Sequence, residues 1–272
     1  MVVALWILIT LSILSVALGN FVLSQLSFAK FYRRSTLSLH LARAACFEAL
    51  NQRRSGSAPG FDTERELNTR RHRAFKGGIG YAYYFEDEQA KININTASKE
   101  VLENLPGVDE DLADEIVNSL RRPFKVEEEL MLVDGMTEER FKKLQNSITV
   151  YGDGKININT AHFEVLSAFG LDPDLISVIM RYRQESAGPD EQKGTDDDGA
   201  FLTAGSVLGK LNEFDGSLFT RQQQNLLALQ GSLITKSNYL KIKITPTAKG
   251  GPGDGFSAVA DIKENRILFW AE

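Results

Sequence analysis

The heptapeptide KININTA stands twice in this chain, at residues 91–97 and again at residues 155–161. Seven identical residues in a row mark a duplicated unit, and repetition of this kind builds one joint core from two related halves. Within each copy Ile alternates with Asn, the period of a half-buried strand, and the residues that follow switch to helical spacing. A second feature restricts the fold as strongly. No charged side chain precedes Lys30.

Residues 1–28 are read as the membrane-spanning part of an N-terminal helix, since a helix crossing the hydrocarbon core needs about 20 apolar residues. Val3, Leu5, Trp6, Leu8, Leu11, Leu14 and Leu18 are its candidate membrane and assembly residues. A cleaved signal peptide is the competing reading, with Ala17-Leu18-Gly19 as its small-x-small site. The absent basic opening and the length of the run favour a retained helix. Lys30, Arg33 and Arg34 follow the run. By the positive-inside rule alone they would place the body in the cytoplasm; a basic leader ahead of Met1 would reverse that balance.

Beyond Lys30 the pattern turns amphipathic. Leu37, Leu41, Ala44 and Ala45 recur at helical spacing, with Arg43 and Glu48 off the stripe. Without Pro or Gly between Asn20 and Ser55, one helix of about 50 residues is expected, half in lipid and half on a soluble body. Gly56, Pro59 and Gly60 should end it.

Residues 62–73 are charge-rich and read as loop or short helix. Residues 79–86 and 89–95 read as strands. Thr96 and Thr160 are the expected N-caps of the helices after each heptapeptide, with Glu100 and Glu164 in the first turns, where the helix dipole favours negative charge. Residues 105–122 (LPGVDEDLADEIVNSLRR) fit a helix-hairpin-helix. Helices are further expected over 124–132 and 137–145, the latter capped by Thr137, and a strand over 148–151. The second copy repeats the layout: helix then turn over 165–171, helix 174–184, a stretch 201–211 matching that from Phe124, helix 218–229, and 232–235 echoing 147–150. Strands at 239–245, 257–262 and 266–270, with a glycine-rich hairpin at 249–255, make a small antiparallel sheet. The expected division is 29–95 for the amphipathic helix and first strands, 96–231 for a helical insert built from repeats at about 91–151 and 155–236, and 232–272 for the last strands.

At 272 residues, 43% hydrophobic and 25% charged, the chain holds one large domain or two small ones. Its net charge of −5 argues against general nucleic-acid binding, which needs clustered Lys and Arg. Cys46 is the one cysteine, and with His40, His72 and His162 scattered, neither a disulfide nor a zinc site is expected. Glycine-rich 76–80 and 249–255 lack the strand and helix context of a phosphate loop. No nucleophile–base arrangement stands out, so an enzyme is not expected.

The order of elements, with the segments MVVALWILITLSILSVAL, LSLHLARAACFEAL, SITVYGDGKININTAHFEVL and AVADIKENRILFWAE, resembles the K-type minor pseudopilins of type II secretion systems, the GspK family. The resemblance covers nearly the whole chain. It implies an α+β fold in which a pilin-like membrane-spanning helix packs on a small antiparallel sheet, with a large duplicated α-helical domain inserted between strands. It implies a place at the pseudopilus tip, in the inner membrane with the body in the periplasm. The implied partners are I- and J-type minor pseudopilins, an H-type subunit as a further candidate, the inner-membrane secretion platform, and prepilin peptidase acting on the precursor. The chain begins at or just inside the family's mature helix, so the leader cleavage site is not located. No acidic residue precedes Glu48, which agrees with the K-type's lack of the early glutamate of other pilins.

The alternative reading is a membrane-anchored helix-hairpin-helix DNA-binding protein of the competence-receptor type. The residues oppose it: the hairpin runs Gly107-Val108-Asp109-Glu110-Asp111, and its counterpart Gly170-Leu171-Asp172-Pro173-Asp174 is also acidic, so a phosphate would meet carboxylates. Asp190, Asp196, Asp197 and Asp198 are the candidate ligands for Ca²⁺, a hard cation that takes oxygen donors. Their spacing is not that of an EF-hand, and a solvated acidic loop is the competing reading. The family resemblance favours calcium without naming its ligands.

Overall fold

The computed structural model describes residues 1–55, 60–188, 190–216, 218–248 and 251–272. Gly56 and Pro59, expected to stop the first helix, and Lys249 and Gly250 of the expected hairpin lie outside the described residues.

Helix α1 runs unbroken over Val2–Arg54. Its first half touches nothing, whereas its second half buries Ser38, Leu41, Ala42, Ala45, Cys46, Ala49, Leu50 and Arg53. These recur every three or four residues, so they form one stripe. Its alanines let the helix lie close on a sheet. Ala44, expected on this stripe, is exposed; it falls about 100° of helical rotation from Ala45, outside the contact face. Leu37 is half-buried at the rim.

The charge-rich segment yields both a short helix, α2 (Glu64–Asn68), and an unforeseen edge strand, β1 (Arg71–Phe75). β2 (Ile79–Asp87) pairs with β1 and with β7 (Tyr239–Ala248); β9 (Phe256–Asp261) and β10 (Arg266–Ala271) follow, and β8 (Gly251–Pro252) pairs β7. Every pairing in this six-stranded sheet is antiparallel. Alternation places Tyr81, Tyr83 and Phe85 of β2 and Leu240, Ile242 and Ile244 of β7 against the α1 stripe. The phenol of Tyr81 donates to Glu48 at 2.6 Å and that of Tyr83 to the Gln52 amide oxygen at 2.8 Å, so the aromatic face buries no unpaired hydroxyl.

Between β2 and β7 the chain leaves the sheet and builds a second core. Its elements are β3 (Ile92–Asn93), α3 (Lys99–Glu103), α4 (Glu110–Asn118), α5 (Glu138–Leu144), β4 (Ile148–Thr149), β5 (Ile156–Asn157), α6 (Phe163–Ala168), α7 (Pro173–Glu185), α8 (Val207–Phe214), α9 (Thr220–Leu229) and β6 (Leu233–Ile234). Isoleucines of both heptapeptides (Ile92, Ile94, Ile156, Ile158) sit in that one core with Leu102, Leu112, Leu166 and Leu175. The two halves therefore share an interior.

Several local expectations fail for identifiable reasons. The strand expected over 89–95 shrinks to Ile92–Asn93 because the Asn95 amide turns back onto Asn93 Oδ1 at 2.9 Å. The helix expected from Phe124 is a 3₁₀ segment, Glu127–Leu132, closed by bonds three residues long. Thr96 and Thr160 are not N-caps. The Ala97 and Ala161 amides bond Asn93 and Asn157 carbonyls at 2.9 Å, which completes a turn first and delays each helix. Ser98 caps α3, while His162, at the matching place in the second copy, makes no side-chain cap bond. Thr137 caps α5 as expected.

Candidate functional site

Three features bear on what the chain does: the bare helix, the duplicated module and the junction where that module meets the sheet.

The bare helix has Val3, Leu5, Trp6, Leu8, Leu11, Leu14 and Leu18 all more than half exposed. It is the one helix among the described residues long and apolar enough to cross a membrane. Surface this apolar is costly in water and calls for lipid or apolar partners. Thr10, Ser12 and Ser27 spend their hydroxyls on carbonyls of the preceding turn, so they add little polarity.

The module explains why each Asn of the heptapeptide is needed. The first Asn of each copy (Asn93, Asn157) accepts the amide of the second through Oδ1, at 2.9 and 3.1 Å. The second Asn then bridges a distant stretch of backbone in both directions. Asn95 accepts the Phe124 amide at 2.7 Å and donates to the Phe124 carbonyl at 2.9 Å. Asn159 does the same to Phe201, at 2.9 Å each way. An arginine closes each unit: Arg122 donates to the Ala97 carbonyl at 2.8 Å and Arg183 to the Ala161 carbonyl at 2.6 Å. The isoleucine before the first Asn pairs in parallel with a strand at the far end of its own repeat, Ile92 with Ile148 and Ile156 with Leu233.

The two copies part ways at the first Asn. Asn93 donates to the Gly152 carbonyl at 2.8 Å. Asn157 instead reaches the sheet domain, donating to Asp87 at 2.8 Å and Ser237 at 3.1 Å, with Asp62 at 3.4 Å. Here lies a buried polar cluster that sequence reasoning missed. Arg53, the last buried residue of α1, pairs with Asp62 and, at 3.0 Å, with Glu66; Arg71 pairs with Glu66 at 2.6 Å. Arg53 and Arg71 also stack over Phe85, at 5.6 and 5.1 Å. Burial, then the neighbouring Asp62, pushes the Asp87 carboxyl up to about 6. The only sequence-level signal for this cluster is the concentration of charge around residues 62–73.

The hairpin loops carry their carboxylates as helix caps. Asp109 accepts the Leu112 amide at 3.0 Å and pairs with Arg140 at 2.6 Å, and that partner holds its carboxyl below the usual range. Asp172 accepts the Asp174 and Leu175 amides. Gly107 and Gly170, at φ of 85° and 100°, make turns that favour glycine.

In the acidic loop, Asp190, Asp197 and Asp198 converge on the Thr195 hydroxyl at 3.3, 2.7 and 3.4 Å. Asp197 and Asp198 also accept loop amides, from Asp190 at 3.0 Å and Gly194 at 2.6 Å. Asp196 takes part through its backbone carbonyl, which accepts the Thr63 hydroxyl at 2.6 Å. Among the described residues no group of three or more His, Cys, Asp and Glu side chains is arranged to hold a metal ion.

These features define a class: a long apolar helix on an antiparallel sheet that carries a duplicated helix-hairpin-helix insert. A family model described as a helix-hairpin-helix motif matches residues 87–149. Of solved structures, a chain in the crystal structure of the GspK-GspI-GspJ complex from the enterotoxigenic Escherichia coli type 2 secretion system shares the fold. Its TM-score is 0.55 at 15% sequence identity, covering 91% of this chain and 97% of that one. No curated protein is a detectable sequence relative of this chain.

Proposed function

We propose that the chain is a minor pseudopilin of the K type, placed at the tip of a type II secretion pseudopilus. There it starts assembly and supports export of folded proteins across the outer membrane. The observation that carries this reading is the insertion of a whole duplicated helical core between β2 and β7, on a sheet borne by a helix with a bare apolar half. A subunit stacked above such an insert would collide with it, so the end of a fibre accommodates it and the shaft does not. A chain from a complex of three secretion subunits shares this fold, which supports the reading. By analogy the partners are I- and J-type subunits, with an H-type subunit, the inner-membrane platform and prepilin peptidase as further contacts. The apolar half lies in the inner membrane with the body in the periplasm. The role is assembly and not catalysis.

The test is co-purification of the full chain with its I- and J-type partners, with site-directed cross-links in membranes. A stoichiometric complex with cross-links at one fibre end supports the reading. Absence of that complex, or cross-links repeating along the shaft, defeats it.

A subsidiary role for calcium at Asp190, Asp196, Asp197 and Asp198 rests on donor chemistry alone, since carboxylates suit a hard cation while no such group among the described residues is already arranged to hold one.

A further inference from the structure

We propose that Asp87 is a proton-operated latch between the sheet and the helical insert, one that grips more tightly when its carboxyl is protonated. Asp87 ends β2, and its side chain is held by the insert: Asn157 Nδ2 and Thr160 Oγ1 donate to Oδ2 at 2.8 and 2.6 Å. Its other oxygen accepts the Gln89 amide at 2.7 Å. These bonds tie the sheet to the second KININTA copy.

Among the described residues, the cations around it are taken by other carboxylates. From α1 comes Arg53, taken by Asp62 and Glu66. From β1 comes Arg71, taken by Glu66. Lys91, beyond the 3₁₀ turn that follows Asp87, is taken by Glu88 at 3.2 Å. The two arginines thus balance Asp62 and Glu66, and Asp87 is a further buried carboxylate. Asn157 Nδ2 also reaches Asp62, at 3.4 Å, so two buried carboxylates converge on one amide nitrogen. Asp62 is additionally fixed by the Ser237 amide at 2.6 Å and cannot easily turn away.

Protons can reach the site. Asp87 lines a cleft of about 470 Å³ together with Glu64, Glu86, Lys91, Thr160 and His162. A proton added to Oδ2 needs no movement of heavy atoms. The Thr160 hydroxyl both donates and accepts, so its bond to Asp87 reverses direction and the repulsion from Asp62 ends. The Asp87 carboxyl, pushed up to about 6 from its ordinary 3.8, puts the change in the mildly acidic range. Because the folded value is raised, the grip is complete below about 3.8 and is lost as pH rises through about 6.

Hydrogen exchange of the full chain in detergent micelles, followed by mass spectrometry, tests this. The reporters are segments whose amides cross the junction: Asp62 to the Thr235 carbonyl at 2.7 Å, and Asn238 to Gln89 Oε1 at 2.8 Å. After correction for the intrinsic pH dependence of exchange, their opening constant should fall about tenfold from pH 7.5 to pH 5. Asp87→Asn should flatten that slope. His162→Gln, which removes the imidazole that lines the same cleft, should leave the slope in place. A flat slope in the wild-type protein overturns the proposal even if the Asp87 variant fails to fold. A slope that survives Asp87→Asn, or vanishes with His162→Gln, also overturns it.

Discussion

Asn95 and Phe124 are joined twice, the side chain of one to the amide and to the carbonyl of the other, at 2.7 and 2.9 Å. Asn159 and Phe201 repeat the bridge. Only a primary amide supplies one donor and one acceptor at this spacing. Asn159→Ala strands two buried backbone groups and should cost ~2–4 kcal/mol, and Asn95→Ala, at a half-buried place, somewhat less. Asn159→Asp keeps the acceptor but turns a buried carboxylate oxygen onto the Phe201 carbonyl, and should cost at least as much as Ala. Urea unfolding of the full chain in detergent, followed by circular dichroism, measures all three; a neutral Asn159→Ala would refute the bridge's structural role.

Arg53→Ala should destabilise by ~3–5 kcal/mol, because it leaves Asp62 buried and uncompensated and Glu66 with Arg71 alone. Arg73→Ala breaks an exposed pair with Glu48 and should cost no more than ~1 kcal/mol. Denaturant midpoints of the two variants compare them directly. Similar losses would mean that the Arg53 pairs are solvated.

Glu127 gives a pH prediction independent of Asp87. Burial pushes its carboxyl up to about 7. A raised acid is favoured protonated in the fold, so its contribution is present at low pH and is lost as pH rises through about 7. Glu127→Gln should therefore match wild type near pH 4 and exceed it in stability above pH 8, by ~1–2 kcal/mol. Thermal melts across that range report the crossover. Wild type the more stable at pH 8 would reverse the assignment, with Lys91 outweighing burial.

Duplex DNA at physiological salt should not change the fluorescence anisotropy of a labelled chain. Asp109 and Asp172 occupy the hairpin turns as caps, and their charge repels phosphate. Salt-sensitive binding tighter than about micromolar would restore the competence-receptor reading.

Calcium titration by calorimetry should give heat in the wild-type protein and none in Asp197→Ala/Asp198→Ala. Identical curves would leave a self-bonded acidic loop.

Much of this was legible before any coordinates. The single helix follows from an apolar run that continues into an amphipathic one, and β2 from the aromatic alternation of IGYAYYFED. What sequence could not reveal depends on partners far along the chain. Asn93 and Asn157 are identical in sequence context, yet one bonds Gly152 and the other Asp87 and Ser237. Thr96 and Thr160 have cap-forming chemistry, but the Asn two residues before the second Asn closes a turn first. Arg53 meets Asp62 and Glu66 only once the chain folds back over the end of the helix. The apolar set from Val3 to Leu18 was read from composition, and its occupants are matters for the cross-linking test.

Helix α1 joins the apolar half to the body without a break over 53 residues, a rod about 80 Å long. It has no joint, and it is bolted at its last turn through Arg53 into the cluster that also holds the insert. Tilting the apolar end by about 5° would swing the far end about 7 Å. The helix therefore ties the position of the insert to the angle of its apolar half as a stiff lever does, with no hinge between them.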